Sequence, residues 1–181
     1  MASKIKVDTL ETANGSGTIA LSNQLSGMTT ASLPALGSAQ MPAGSVLQVV
    51  QETSTSTDTT TSTSYVASSL YASITPIATN SKILVTVAGG GMDFGAPAQI
   101  YIHLYRSIGG GSFSGIRDLV RTSIGQPTWS ISHSYNFLDT PNTTSAVTYK
   151  PYYKTSNASK SMLFNNSFAV PITITLMEIQ G

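Results

Sequence analysis

The stretch Trp129-Ser130-Ile131-Ser132-His133-Ser134-Tyr135-Asn136-Phe137 decides the fold. Trp129, Ile131, His133, Tyr135 and Phe137 share one parity, and Ser130, Ser132, Ser134 and Asn136 share the other. Successive side chains of a strand point to opposite faces, so this run turns an apolar face to a core and a hydroxyl-rich face away from it. The same period recurs upstream. Gln99–Arg106 sets Ile100, Ile102 and Leu104 against Tyr101, His103 and Tyr105, and Lys82–Val87 sets Ile83, Val85 and Val87 against Lys82, Leu84 and Thr86. Val46–Gln51, Tyr65–Ile74, Ile116–Thr122, Val147–Tyr153, Ser161–Phe164 and Val170–Ile179 are further strand-like runs. With about eight or nine short strands and no capped 3.6-residue period, the chain is expected to be all-β, an antiparallel β-sandwich of jelly-roll type. Gly89–Gly91 and Gly109–Gly111 are expected to end strands as flexible turns, and Thr53–Ser64 reads equally as a loop or an edge strand.

Composition narrows the function. The 181 residues hold 51 Ser and Thr, no Cys, 9 Lys+Arg and 8 Asp+Glu, for a net charge of +1. Charged residues make up 9%, far below the roughly 25% of an ordinary globular domain, so hydroxyls supply the surface polarity. A nucleic-acid partner needs a basic footprint that this balance does not offer. Without Cys there is no disulfide framework, thiolate metal site or thiol nucleophile. No apolar run approaches the ~20 residues of a membrane-spanning helix, and Met1–Lys6 carries no secretory core, so membrane insertion is not expected.

Chemistry-bearing residues are few. His103 and His133 sit in strand patterns without converging ligands, so neither a metal nor another cofactor is expected. Glu52, Asp58, Asp93, Asp118, Asp139 and Glu178 are scattered, with no spacing that pairs two carboxylates across a bond. Asp93 and Asp139 stand in turn contexts, and Asp118 lies between Arg117 and Arg121 as a local ion pair. The chain is therefore not expected to be an enzyme. Aromatics are the binding-competent set, Tyr101, Tyr105, Trp129, Tyr149, Tyr152 and Tyr153: they are expected to contact a glycan or to lie in a subunit interface or core, with Trp129, Tyr149, Tyr152 and Tyr153 named for ligand contact and Tyr149–Lys154 as an exposed-looking cluster.

Along the chain, three segments are expected: an N-terminal arm at 1–27, a Pro/Gly/Ser-rich linker at 28–45, and the sandwich at 46–181. Two short strand candidates in the arm, around Ile5–Leu10 and Thr18–Leu21, are marginal alone and need another surface to cover them. Ile5, Val7, Leu10, Ile19 and Leu21 are the apolar groups expected to dock there.

Two local patterns carry a resemblance. Ser3-Lys4-Ile5-Lys6-Val7-Asp8-Thr9-Leu10 with Asn14-Gly15-Ser16-Gly17-Thr18-Ile19 resembles the N-terminal segment of tail-fibre and related structural proteins of marine and environmental bacteriophages. Thr63-Ser64-Tyr65-Val66, Ala72-Ser73-Ile74-Thr75-Pro76, Asn80-Ser81-Lys82-Ile83-Leu84-Val85 and Tyr105-Arg106-Ser107 are similar to their β-sandwich head domain. Together these cover about a third of the chain. The resemblance implies a virion component, assembled in the host cytoplasm, in which a homotrimer is tethered to other tail or capsid proteins by its arm. The expected function is a short tail fibre displaying the sandwich for host-surface glycan attachment. The alternatives are a capsid decoration or head fibre protein, and a free carbohydrate-binding module or glycan hydrolase. No catalytic residue carries over, because the matched positions are structural.

Overall fold

The computed structural model describes residues 37, 40–94, 98–124, 129–165 and 170–181. The chain divides at Leu36/Gly37, and every described residue belongs to the second unit. The docking residues Ile5, Val7, Leu10, Ile19 and Leu21, and most of the 28–45 linker, lie outside the described residues.

Eleven strands are found among the described residues: β1 (Val46–Ser54), β2 (Asp58–Thr60), β3 (Val66–Ala67), β4 (Ala72–Ile74), β5 (Lys82–Phe94), β6 (Ala98–Ile108), β7 (Ser114–Ile124), β8 (Trp129–Asp139), β9 (Val147–Thr155), β10 (Met162–Phe164) and β11 (Ile172–Ile179). All pairings are antiparallel. Three pairs of strands share one position each. β3 and β4 both pair with β9, β10 and β11 both pair with β5, and β1 and β2 follow β11 and β10. The eleven strands therefore fill eight positions in two four-position sheets. The first sheet runs β1/β2, β11/β10, β5, β8, and the second runs β3/β4, β9, β6, β7.

Numbered by position, the sheets read 1-8-3-6 and 2-7-4-5. Every consecutive pair of positions crosses from one sheet to the other except the β6–β7 hairpin. This is the double Greek-key connectivity of a jelly roll. The undecided Thr53–Ser64 tract resolves into the end of β1, a break, and β2.

The inner faces form one core. Ile83, Val85, Val87, Ile174 and Leu176 from the first sheet meet Ile100, Ile102, Leu104, Val147 and Tyr149 from the second, all buried. Phe164, Met162, Leu70 and Ile74 close the ends of this layer.

One expectation is corrected. Gly89–Gly91 does not end a strand but lies inside β5. Gly89 pairs with His133 and Met92 with Ile131, so Gly90 and Gly91 together face Ser132 in a β-bulge. Gly89 holds φ of 86° and Gly90 of 64°, values that glycine adopts at little cost. The bulge is also where β5 changes partner, from β11 before it to β10 after it. Gly109 and Gly110, also at positive φ, do form the expected turn between β6 and β7.

Candidate functional site

On β6 the alternation that buries Ile100, Ile102 and Leu104 turns Tyr101, His103 and Tyr105 outward. On β9 it buries Val147, Tyr149, Pro151 and Tyr153 and turns Lys150, Tyr152 and Lys154 outward. Register then interleaves the two sets: Tyr101 pairs with Lys154, His103 with Tyr152, and Tyr105 with Lys150. Each lysine is thus flanked by rings. The Lys154 ammonium lies 4.6 Å from the ring centre of Tyr65 and 4.9 Å from that of Tyr101, and Lys150 lies 4.8 Å from Tyr71 and 5.5 Å from Phe113. Arg121, across from Tyr101 on β7, sits 5.5 Å over the same ring. These are cation–π distances.

The rings also pack on one another. Tyr105 and Tyr152 stack at 3.9 Å, and Tyr65 meets His103 and Tyr105 edge-on at 5.5 and 6.0 Å. His103 Nδ1 lies 2.7 Å from Asp118 Oδ1, and Asp118 is largely exposed. Burial raises the Tyr65 phenol above its ordinary range, with Asp118 adding to the effect. Burial and the neighbouring Tyr105 do the same for Tyr152. A cleft lined by Glu52, Ser54, Ser56 and Ser69 opens beside Tyr71 at the margin of this face.

The opposite outer surface, on the first sheet, is of another kind. Three cross-strand rows run over it: Val49–Met177–Leu84–Leu138, Gln51–Thr175–Thr86–Asn136 and Thr53–Thr173–Ala88–Ser134. None of these twelve residues is charged. The first row is aliphatic, with Val49 55% and Leu138 48% exposed. In the others hydroxyls and amides bond across strands, as in Gln51 Nε2 to Thr175 Oγ1 at 3.1 Å and the Thr53–Thr173 hydroxyl pair at 3.2 Å.

The expected ligand aromatics separate by parity. Tyr149 and Tyr153, read as part of an exposed cluster, belong to the core. The Tyr149 hydroxyl donates to Asp139 at 2.7 Å, and Tyr153 stacks on Phe164 with centroids 5.5 Å apart. Tyr152 alone of the three faces outward. Trp129 pairs with Phe94 at the start of β8, and its side chain lies outside the described residues. His103, Lys150 and Lys154 lie on the same outward face, and Tyr65 and Phe113 join it without having been singled out. The period-2 spacing of Lys150-x-Tyr152-x-Lys154 was the signal that could have separated these three from the inward Tyr149 and Tyr153.

Three of the carboxylates, Asp139, Glu178 and Asp118, are held by neighbouring groups. Asp139 is buried rather than exposed in a turn, accepting two hydrogen bonds from Arg106 Nη1 at 2.7 and 3.0 Å besides that of Tyr149. Glu178 is fully buried, accepting from Gln48 Nε2 and from the Ile77 amide. Asp118 faces His103 across the strands instead of its sequence neighbours Arg117 and Arg121. Among the described residues no group of three or more His, Asp or Glu is placed to hold a metal ion.

No protein-family model matches the chain, and no curated protein matches it. Among solved structures it is similar to a chain from the "Structure of infectious bursal disease virus Gx strain", at 14% identity and a TM-score of 0.33. The match covers 81% of this chain and 42% of that one.

Proposed function

We propose that the chain is a structural protein of a virus particle, a jelly-roll subunit that packs against copies of itself through the outer face of the β1–β11–β5–β8 sheet. The observation that carries this is the three uncharged rows, one of them aliphatic, which cover this face beyond Lys82 at the start of β5. Interface cores are depleted of charged groups, and a contiguous exposed apolar strip marks a contact surface. Rows without charges pack against a neighbouring subunit with no ion to desolvate. Closed cyclic symmetry, with three copies as expected from the sequence resemblance, lets every subunit bury this face.

Within that reading, a shell decoration or head fibre protein takes precedence over a tail fibre. The face runs along a whole sheet and so serves lateral packing. The apolar groups of the arm, Ile5, Val7, Leu10, Ile19 and Leu21, would tether the trimer to a neighbouring particle protein. No catalytic step belongs to this function.

The test is the mass of the full chain in solution, measured by sedimentation equilibrium. A trimer is expected, converted to a monomer by Leu84→Lys with the sheet signal of circular dichroism unchanged. A monomeric wild type would sink the proposal. Antibody labelling of intact particles then separates the positions: density over the shell supports decoration, and density at the tail supports the fibre.

A further inference from the structure

We infer that the outer face of the β3/β4–β9–β6–β7 sheet binds an acidic polysaccharide, with Lys150 and Lys154 taking its carboxylates. This deepens the reading of the chain as a particle-surface protein, since it names the ligand class of the sheet left free when the first sheet is covered.

The asymmetry of charge between the two sheets is the starting point. The rows on the first sheet hold no charge, whereas this face gathers Lys150, Lys154 and Arg121 from the few cations the chain has. Its acid, Asp118, is already turned to His103 at 2.7 Å. The face therefore carries more cations than acids. Lys150 and Lys154 lie four residues apart on one strand, ~13 Å, so one extended chain can meet both.

The rings decide between anionic partners. Stacking of bases requires free aromatic faces. Here each ring already has a partner on one face: Tyr105 and Tyr152 cover each other, and ammonium groups lie over Tyr65, Tyr71, Tyr101 and Phe113. Stacking on a base would have to displace these partners, whereas phenolic hydroxyls and ammonium groups can meet a polymer without doing so. The Tyr101 hydroxyl is engaged by Gln99, while those of Tyr65, Tyr105 and Tyr152 make no hydrogen bond among the described residues. Phenols both donate and accept, which suits sugar hydroxyls, and lysines donate charge-assisted bonds to carboxylates. Repeated carboxylates along the polymer also engage several copies of the subunit at once.

The experiment titrates the isolated full chain with polygalacturonate, with a single-stranded oligonucleotide at equal charge, and with neutral dextran at equal mass. Binding to polygalacturonate is expected, roughly tenfold or more tighter than to either other polymer, and weakened by added salt. The double variant Lys150→Gln/Lys154→Gln should lose roughly tenfold in affinity, Tyr152→Phe should lose less, and Lys82→Gln should bind as the wild type does. Equal binding of dextran, tighter binding of the oligonucleotide, or no binding of polygalacturonate would overturn the inference. So would a change of assembly mass in the double lysine variant, which would make this face a subunit contact. Failure of the particle assignment is read separately, in the mass of the wild type and in the labelling.

Discussion

Gly89 and Gly110 both hold positive φ, 86° and 76°, but a methyl group would meet different surroundings at each. At Gly110 nothing lies within 4 Å, so alanine there bears only the backbone cost of the left-handed region, about 1–2 kcal/mol. At Gly89 a Cβ would stand 2.5 Å from the Pro171 carbonyl oxygen, an atom fixed by the approach of β11. Gly89→Ala must therefore push the strands apart at the bulge as well as bear the same φ cost. Its loss should exceed that of Gly110→Ala by about 1–2 kcal/mol or more. Urea unfolding of the two variants checks this, and equal midpoints would show that the bulge yields freely.

At the level of the element, parity explains most of what the sequence showed and what it hid. The inward parity of β8 does not stop at Phe137; it carries on to Asp139, which is buried because the strand continues. Inward parity on β6 likewise runs past Leu104 to Arg106, and on β9 it includes Tyr149. Three elements thus place an acid, a cation and a phenol at one point of the core. Asp139→Ala would leave the Arg106 charge without its partner and should cost about 3 kcal/mol or more in urea unfolding. Replacing both, as Arg106→Met/Asp139→Leu, should cost distinctly less. If the double variant is as unstable as the single one, the charge pair is not the cause.

The strands themselves were legible because each is a local alternation. The aromatic–lysine face was half legible, since Tyr101, His103 and Tyr105 share a parity in plain view. Reading Tyr149, Lys150, Tyr152, Tyr153 and Lys154 as one exposed cluster ignored the alternation that sends Tyr149 and Tyr153 inward. Register was not legible at all. Tyr105 meets Lys150 and Asp118 meets His103 through pairings set by the whole fold. The Gly89–Gly91 bulge was hidden for the same reason, because what makes it a strand is its partner β8.

The jelly roll of the described residues buries several phenols along with Asp139 and Glu178. Burial, with Asp58 adding a smaller effect, pushes the Tyr153 phenol up from its ordinary value of 10 to about 12. Burial raises Tyr135 further, and burial together with its hydrogen bond to Asp139 does the same for Tyr149, against a lowering contribution from Arg106. The folded state therefore holds these protons more tightly than the unfolded chain does. Above pH 10 the unfolded phenols ionise while the folded ones do not, so proton release favours unfolding. The stability contributed by the neutral phenols is complete below pH 10 and is lost as pH rises through about 12. Urea midpoints should accordingly be level up to about pH 9 and fall steeply by about pH 11 to 12. Tyr153→Phe keeps the ring against Phe164 but has no proton to lose, so its midpoint should fall less over the same interval. A wild-type midpoint that stays flat to pH 12 would mean that these phenols reach solvent in the folded protein, which the closed two-sheet core does not permit.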